Sequence, residues 1–288
     1  MSFAYIPSPS SNGLSIGPLY FHAYGICYVF AVAAAIYISR RRWSRRGGDP
    51  DIVYSVAWWG FPAGLVGGRI YFDITTPSQM PHQWWGPFAI WDGGLGIWGG
   101  IALGAAVGVW YLRRHLSWPD VYRFINAATP GLLVAQSIGR IGNYFNQELF
   151  GKPSTLPWAL RISAAHRPPG YAHYATYQPT FLYEIIWNLL LAATLVWLDN
   201  RRKVKPPGLF ALYVAGYSAF RMFEETLRID YSQYILGMRL NFWVALIGVL
   251  GGLLWFARIQ FKRISDDGTG GADPTDPPTP AYSQSGLG

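Results

Sequence analysis

Hydrophobic positions in this chain fall into seven long runs, with polar and basic residues collected between them. The runs cover residues 21–39, 54–72, 94–112, 121–139, 180–198, 208–223 and 240–257. Each is close to the roughly 20 apolar residues that a helix needs to cross a bilayer. The fourth is the weakest, because Arg123 and Pro130 interrupt it. The pattern predicts an all-α polytopic membrane protein with seven transmembrane helices.

Composition agrees with the pattern. Charged residues make up 13% of the chain, about half of the roughly 25% found in soluble domains. That is too little to cover a soluble surface of this size. Disorder, collagen and coiled coil are excluded for all but the C-terminal end. Cys27 is the single cysteine, so an intrachain disulfide framework is excluded.

Net charge is +8, and its distribution explains it without nucleic acid. Of the 23 Lys and Arg residues, 14 lie in the loops after the first, third, fifth and seventh runs. If all seven runs cross, these loops share one face. The positive-inside rule then puts the N-terminus outside and the C-terminus in the cytoplasm. The stretch before Phe21 has neither a basic n-region nor a small-residue cleavage site, so it is not expected to be a cleaved signal peptide.

Residues 1–263 are expected to form one seven-span catalytic domain, with an outer arm at about 140–179 that is longer than loops usually run. Residues 264–288 are expected to be a disordered cytoplasmic tail, because 266–288 are mostly Gly, Pro, Ser, Thr and Asp. No fixed-period repeat and no pair of matched broken spans is visible.

One motif is misleading. Gly94-Leu95-Gly96-Ile97-Trp98-Gly99 fits the dinucleotide fingerprint G-x-G-x-x-G, but it opens an apolar run where that fingerprint needs a strand before it. It continues as Gly100, Gly104 and Gly108. A glycine every fourth residue lets another helix pack closely in lipid, and Gly64, Gly67 and Gly68 read the same way.

Ionisable groups within or beside spans are functional by default. Here they form one layer near the outer face. His22 and Tyr24 begin the first span, Arg69 and Asp73 close the second, and Asp92 and Trp98 open the third. Arg140, Asn143, Asn146 and Glu148 follow the fourth, Gln178 and Glu184 enter the fifth, and Tyr217, Arg221, Glu225 and Arg228 leave through the sixth. Apart from Arg123, the cytoplasmic halves are nearly free of such groups. A conduction path would need them through the full depth, whereas a lipid head group sits at this level.

Guanidinium presents a planar fork that matches phosphate oxygens. Arg140 stands in Gly139-Arg140-Ile141-Gly142-Asn143, where glycines allow close approach. Tyr217, Arg221, Glu225 and Arg228 are spaced 4, 4 and 3, one helical face. The competing structural reading is that Arg221 with Glu225, and Arg69 with Asp73, simply neutralise each other.

Several segments carry a resemblance. They are residues 63–73 (AGLVGGRIYFD), Trp91-Asp92-Gly93-Gly94-Leu95, residues 139–148 (GRIGNYFNQE), residues 178–184 (QPTFLYE) and residues 217–228. In this order they resemble the prolipoprotein diacylglyceryl transferase family, over most of the chain from His22-Ala23-Tyr24-Gly25 to about Asp230.

The resemblance implies a seven-span enzyme of the bacterial plasma (inner) membrane, its active site toward the outer leaflet. Such an enzyme moves the diacylglyceryl group of phosphatidylglycerol onto the lipobox cysteine thiol of a prolipoprotein signal peptide. A thioether forms and glycerol phosphate leaves, with no metal or cofactor. By motif match, Arg140 and Arg221 would hold the lipid phosphate, with Tyr24, Asn143, Glu148, Gly151 and Glu225 around them. Asn146, Tyr217, Arg69 and Trp98 are further candidates for contact with substrate, and His22 for catalysis.

The chain departs from the family at two places. Trp98 stands where many members have a histidine favoured as the thiol's base, and Gln178 where relatives often have histidine. Trp98 cannot take a proton. The base is then His22, Glu148 or Glu225, or the arginines lower the thiol pKa enough to dispense with one. His22 reads equally well as a hydrogen-bonded interfacial histidine.

Cys27, with Ile26 before it, lacks the small neighbour of a lipobox and reads as a buried hydrophobe. Two other classes remain open at this stage. One is a lipid or small-solute transporter, and the other a non-catalytic lipid-binding receptor.

Overall fold

The computed structural model describes residues 5–90, 93–201 and 204–261. The expected tail lies outside them, as do Trp91 and Asp92 of the second resembling segment.

Each of the seven apolar runs is a helix: α1 (Ala23–Ser44), α2 (Asp51–Thr75), α3 (Ile97–His115), α4 (Trp118–Asn146), α5 (Thr180–Asn200), α6 (Gly208–Leu227) and α7 (Leu240–Phe261). Most outrun the apolar run that predicts them, because flanking polar residues extend the backbone ladder. Arg41 and Arg42 in the last turn of α1, and Arg113, Arg114 and His115 in that of α3, complement the helix dipole. Pro62 and Pro130 lie inside α2 and α4, which continue through them. Pro130 therefore does not break the fourth run. Among the described residues three helices, α1, α5 and α7, are long and apolar enough to cross a membrane. On α7, Ile247 and Leu254 are 71% and 65% exposed, an arrangement that suits lipid and not water.

Among the described residues there are also three two-stranded hairpins. They are β1 (Gly13–Ile16) with β2 (Leu19–His22), β3 (Leu160–Arg161) with β4 (Thr176–Tyr177), and β5 (Tyr234–Ile235) with β6 (Met238–Arg239). The first takes Phe21 and His22 out of the span expected for them: His22 closes β2, paired with Gly13.

The described residues divide into two compact units. One comprises 40–124. Its α2 and α3 pack through glycines, and a Cβ on Gly67 would stand 2.4 Å from the Gly99 carbonyl oxygen and one on Gly99 2.2 Å from that of Gly67. Gly64, Gly100 and Gly104 continue the contact. The glycine motif is thus a close helix crossing, as its spacing predicts.

The other unit comprises 5–39 and 125–261. Leu133 of α4, Ala192 and Leu195 of α5 and Leu209 of α6 form one core cluster. Asn126 accepts a hydrogen bond from the Leu209 backbone N–H at 3.1 Å, satisfying a donor at the start of α6. After α4 the chain turns through Gln147 and Leu149, both at positive φ. The arm is then folded on its own core of Phe150, Leu160, Ile162 and Tyr177, with Ile6 against them.

Candidate functional site

The site is built where α4, α5 and α6 each contribute a charged side chain within the larger unit. Arg140 Nε lies 2.7 Å from Glu184 Oε2, joining α4 to α5. Tyr217 of α6 donates its hydroxyl to Glu184 Oε1 at 3.2 Å. Glu184 is fully enclosed, and its charge is balanced by Arg140 as buried carboxylates require.

Arg140 Nη1 also donates to Asn143 Oδ1 at 3.1 Å. Asn143, one turn on and buried, passes the contact outward, its Nδ2 reaching Glu148 Oε1 at 2.7 Å. Asn146 Nδ2 approaches the same oxygen at 3.4 Å. The turn after α4 brings Glu148 back, its N–H on the Asn143 carbonyl at 3.1 Å. The signature 139–148 thus folds into one hydrogen-bonded chain from guanidinium to an exposed carboxylate.

On α6, Arg221 Nη1 meets Glu224 Oε2 and Nη2 meets Glu225 Oε1, each at 2.5 Å. The i,i+4 pair of the structural reading therefore exists, and Glu224 adds a second carboxylate at i+3. Beyond α6, Arg239 Nε holds Glu225 Oε2 at 2.6 Å and Nη2 holds Asp230 Oδ2 at 3.0 Å. Arg228 Nε takes the other Asp230 oxygen at 2.7 Å. Burial opposes charge on Asp230, but the Arg228 hydrogen bond and the charges of Arg228 and Arg239 win and hold its carboxyl below the usual range.

Exposure separates these arginines. The side chains of Arg140 and Arg221 are 20% and 19% exposed, those of Arg228 and Arg239 only 6% and 5%. Guanidinium has five N–H donors. Among the described residues, Arg140 and Arg221 each give no more than two or three of them to protein groups. What remains can grip an anion.

Other expected residues find distinct places. Tyr24 lies across Gly142, where a Cβ would stand 2.3 Å from its ring, so the absence of a side chain admits Tyr24 to the Arg140 helix. Gly151 is wedged between Gln178 and Leu227, its N–H on the Gln178 carbonyl at 2.9 Å. Its part is close packing of the arm. Gln178 accepts from the Tyr183 hydroxyl at 2.6 Å. His22 is exposed, edge-on to Tyr20 at 4.9 Å. Cys27 is buried beside an apolar recess of about 250 Å³ lined also by Leu14, Ile26 and Phe145, as an inert thiol would be.

Arg69 and Trp98 belong to the other unit. Arg69, expected to touch substrate, is buried and spends its guanidinium on the carbonyls of Gly86, Pro87, Ala89, Gly93 and Gly94, with Asp73 at 3.0 Å. It fastens the loop between α2 and α3, and the structural reading of that pair is the one its contacts support. Trp98 is 54% exposed in the first turn of α3.

The sequence pattern places Glu184 in the polar layer without assigning it a role, and it does not mark Glu224, Asp230 or Arg239 as part of the site. Arg239 did carry a signal, an ionisable group directly before the seventh apolar run. Among the described residues no three of His, Cys, Asp and Glu gather as metal ligands would.

A family model described as prolipoprotein diacylglyceryl transferase matches residues 12–258. The chain belongs to that family. Among curated members, phosphatidylglycerol–prolipoprotein diacylglyceryl transferase 2 of Streptomyces coelicolor is 44% identical, covering 100% of this chain and 93% of the relative. The enzyme of the same activity from Frankia alni is 44% identical over 100% of this chain and 73% of its own length. That of Streptomyces griseus is 45% identical over 86% and 75%. The transferase match spans both units and every residue of the arginine and carboxylate cluster.

Proposed function

We propose that this protein transfers the diacylglyceryl group of phosphatidylglycerol to the lipobox cysteine of prolipoprotein signal peptides. The observation that carries the chemistry is the pair of partly exposed arginines, Arg140 and Arg221, braced by buried carboxylates. Arg140 is linked to α6, the helix of Arg221, through Glu184 and the Tyr217 hydroxyl. Two guanidinium groups with spare donors suit a phosphodiester.

In the reaction, the substrate sulfur bonds to the glyceryl carbon as the carbon–oxygen bond to phosphate breaks. The electron pair goes to the phosphate oxygen, and glycerol phosphate departs. Arg140 and Arg221 stabilise the charge growing there. The thiol must also lose its proton. Glu184, Glu224 and Glu225 are enclosed and paired with arginine. Glu148 is exposed and held by the amides of Asn143 and Asn146, so it is the carboxylate best placed to accept a proton. Trp98 then needs no acid–base role.

The same reading makes all seven helices spans, with the N-terminus outside, the C-terminus in the cytoplasm and the site toward the outer leaflet of the bacterial plasma membrane. The positive-inside distribution of Lys and Arg supports it. Residues 1–263 would serve as the catalytic part, and 264–288 as a cytoplasmic tail.

The test is a transfer assay on the full chain in membranes, with radiolabelled phosphatidylglycerol and a lipobox peptide. Labelled thioether product is expected. Its absence from folded protein supplied with both substrates would overturn the reading.

A further inference from the structure

Arg239 is nearly sealed from the surface, yet it is tied to Arg221 through a single shared carboxylate. Glu225 Oε1 meets Arg221 at 2.5 Å and Glu225 Oε2 meets Arg239 at 2.6 Å. Arg239 itself is fixed from the other side by Asp230 Oδ2 at 3.0 Å and by the Asp230 carbonyl at 2.7 Å. The hairpin that carries it turns through Leu236 and Gly237, at φ of 49° and 77°. Positive φ at both central residues is the geometry of a tight two-residue turn. It sets Arg239 opposite Tyr234 and leaves its guanidinium little freedom.

The consequence is electrostatic. Arg221 alone would face two buried carboxylates, Glu224 and Glu225, and together they would present net negative charge to an approaching anion. Buried charges interact strongly because water screens them poorly. With Arg239 on Glu225 and Asp230, and Arg228 on the other Asp230 oxygen, three arginines balance three carboxylates.

We propose that Arg239 is a positioning residue for the lipid phosphate. By taking one oxygen of Glu225, it holds that carboxylate in register with Arg221 and keeps Arg221 electrostatically available to a phosphodiester anion. Asp230 in turn orients Arg239. The proposal rests on the reading of Arg221 as a phosphate-binding group.

The experiment uses the full chain in nanodiscs of phosphatidylglycerol and phosphatidylcholine, as the wild type and as Arg239→Gln, Arg239→Lys and Asp230→Asn. Two quantities are read. One is the split between KM for phosphatidylglycerol and kcat in the transfer assay. The other is retention of phosphatidylglycerol over phosphatidylcholine by native mass spectrometry, which needs no turnover.

Arg239→Gln is expected to raise KM and weaken retention roughly tenfold, with a smaller change in kcat, as loss of a supporting partner commonly does. Arg239→Lys should recover part of both, and Asp230→Asn should fall between Lys and the wild type. Folded Arg239→Gln with wild-type KM and retention would overturn the proposal, as would a loss confined to kcat. If Arg239→Gln fails to fold, the Lys and Asn variants decide by the same readings. A wild type that retains phosphatidylglycerol without transferring it would sink the proposed function alone, retention then judging Arg239. A wild type that does neither would sink both.

Discussion

Arg140 and Glu184 form an ion pair between α4 and α5, Nε to Oε2 at 2.7 Å, in which the carboxylate is enclosed and the guanidinium partly open. The pair is one-sided, since of the two side chains only that of Arg140 is open to solvent. Glu184→Gln should therefore act on stability and site together. Halving a buried pair leaves a poorly compensated charge at a cost of about 3 kcal/mol. A lowered denaturation midpoint in detergent, with reduced transfer, is the expected result. An unchanged midpoint would mean that the pair opens freely to solvent.

Arg140→Lys and Arg221→Lys test the shape of the arginines. Lysine keeps the charge but is a point donor that cannot hold protein partners and phosphate oxygens at once. Transfer should fall about a hundredfold in each, a loss of roughly 3 kcal/mol in transition-state stabilisation. Near-wild-type rates with lysine would show that charge alone suffices.

Glu148→Gln removes a proton acceptor while keeping the hydrogen bonds to Asn143 and Asn146 within reach. Transfer should drop on the order of a hundredfold, as loss of a general base does. It should recover partly as pH rises toward the thiol pKa. A drop independent of pH would point to a binding role.

Asp230 gives the fold a pH dependence of definite sign. Burial works against its charge, but Arg228 and Arg239 hold its carboxyl below the ordinary range. Its contribution is therefore complete above the ordinary carboxylate pKa and is lost as pH falls through the lowered native value. Thermal midpoints measured between pH 7 and pH 3 should decline in the acid limb, and Asp230→Asn should flatten part of that decline.

Gly99→Ala tests the helix crossing, independent of the cluster. Its Cβ would stand 2.2 Å from the Gly67 carbonyl oxygen, so one backbone must move. Such overpacking costs about 3 kcal/mol, and folded yield in detergent should fall sharply. Gly139→Ala, where a Cβ has nothing within 4 Å, is the matched control for folding.

Much of this protein was decided locally. Each apolar run is the body of a helix, because its length and apolar character favour a segment that satisfies its own backbone hydrogen bonds. The glycine spacing of α2 and α3 implied a close crossing, because a residue without a side chain lets backbones meet. Arg140, Asn143 and Glu148 lie within nine residues, so one helix end and one turn bring them together. Arg221 and Glu225 share a helical face for the same reason.

Tertiary structure alone decided how the charges divide. Arg69 resembles the others in sequence, yet distant loop carbonyls consume its donors. Arg239 stands 18 residues from Arg221 in the chain and is joined to it only because a tight hairpin returns it to Glu225. Exposure separates the partly open Arg140 and Arg221 from the enclosed Arg228 and Arg239, and exposure is a property of packing between segments. Composition and spacing specify which groups must be paired in a medium of low dielectric; only the folded chain specifies with whom.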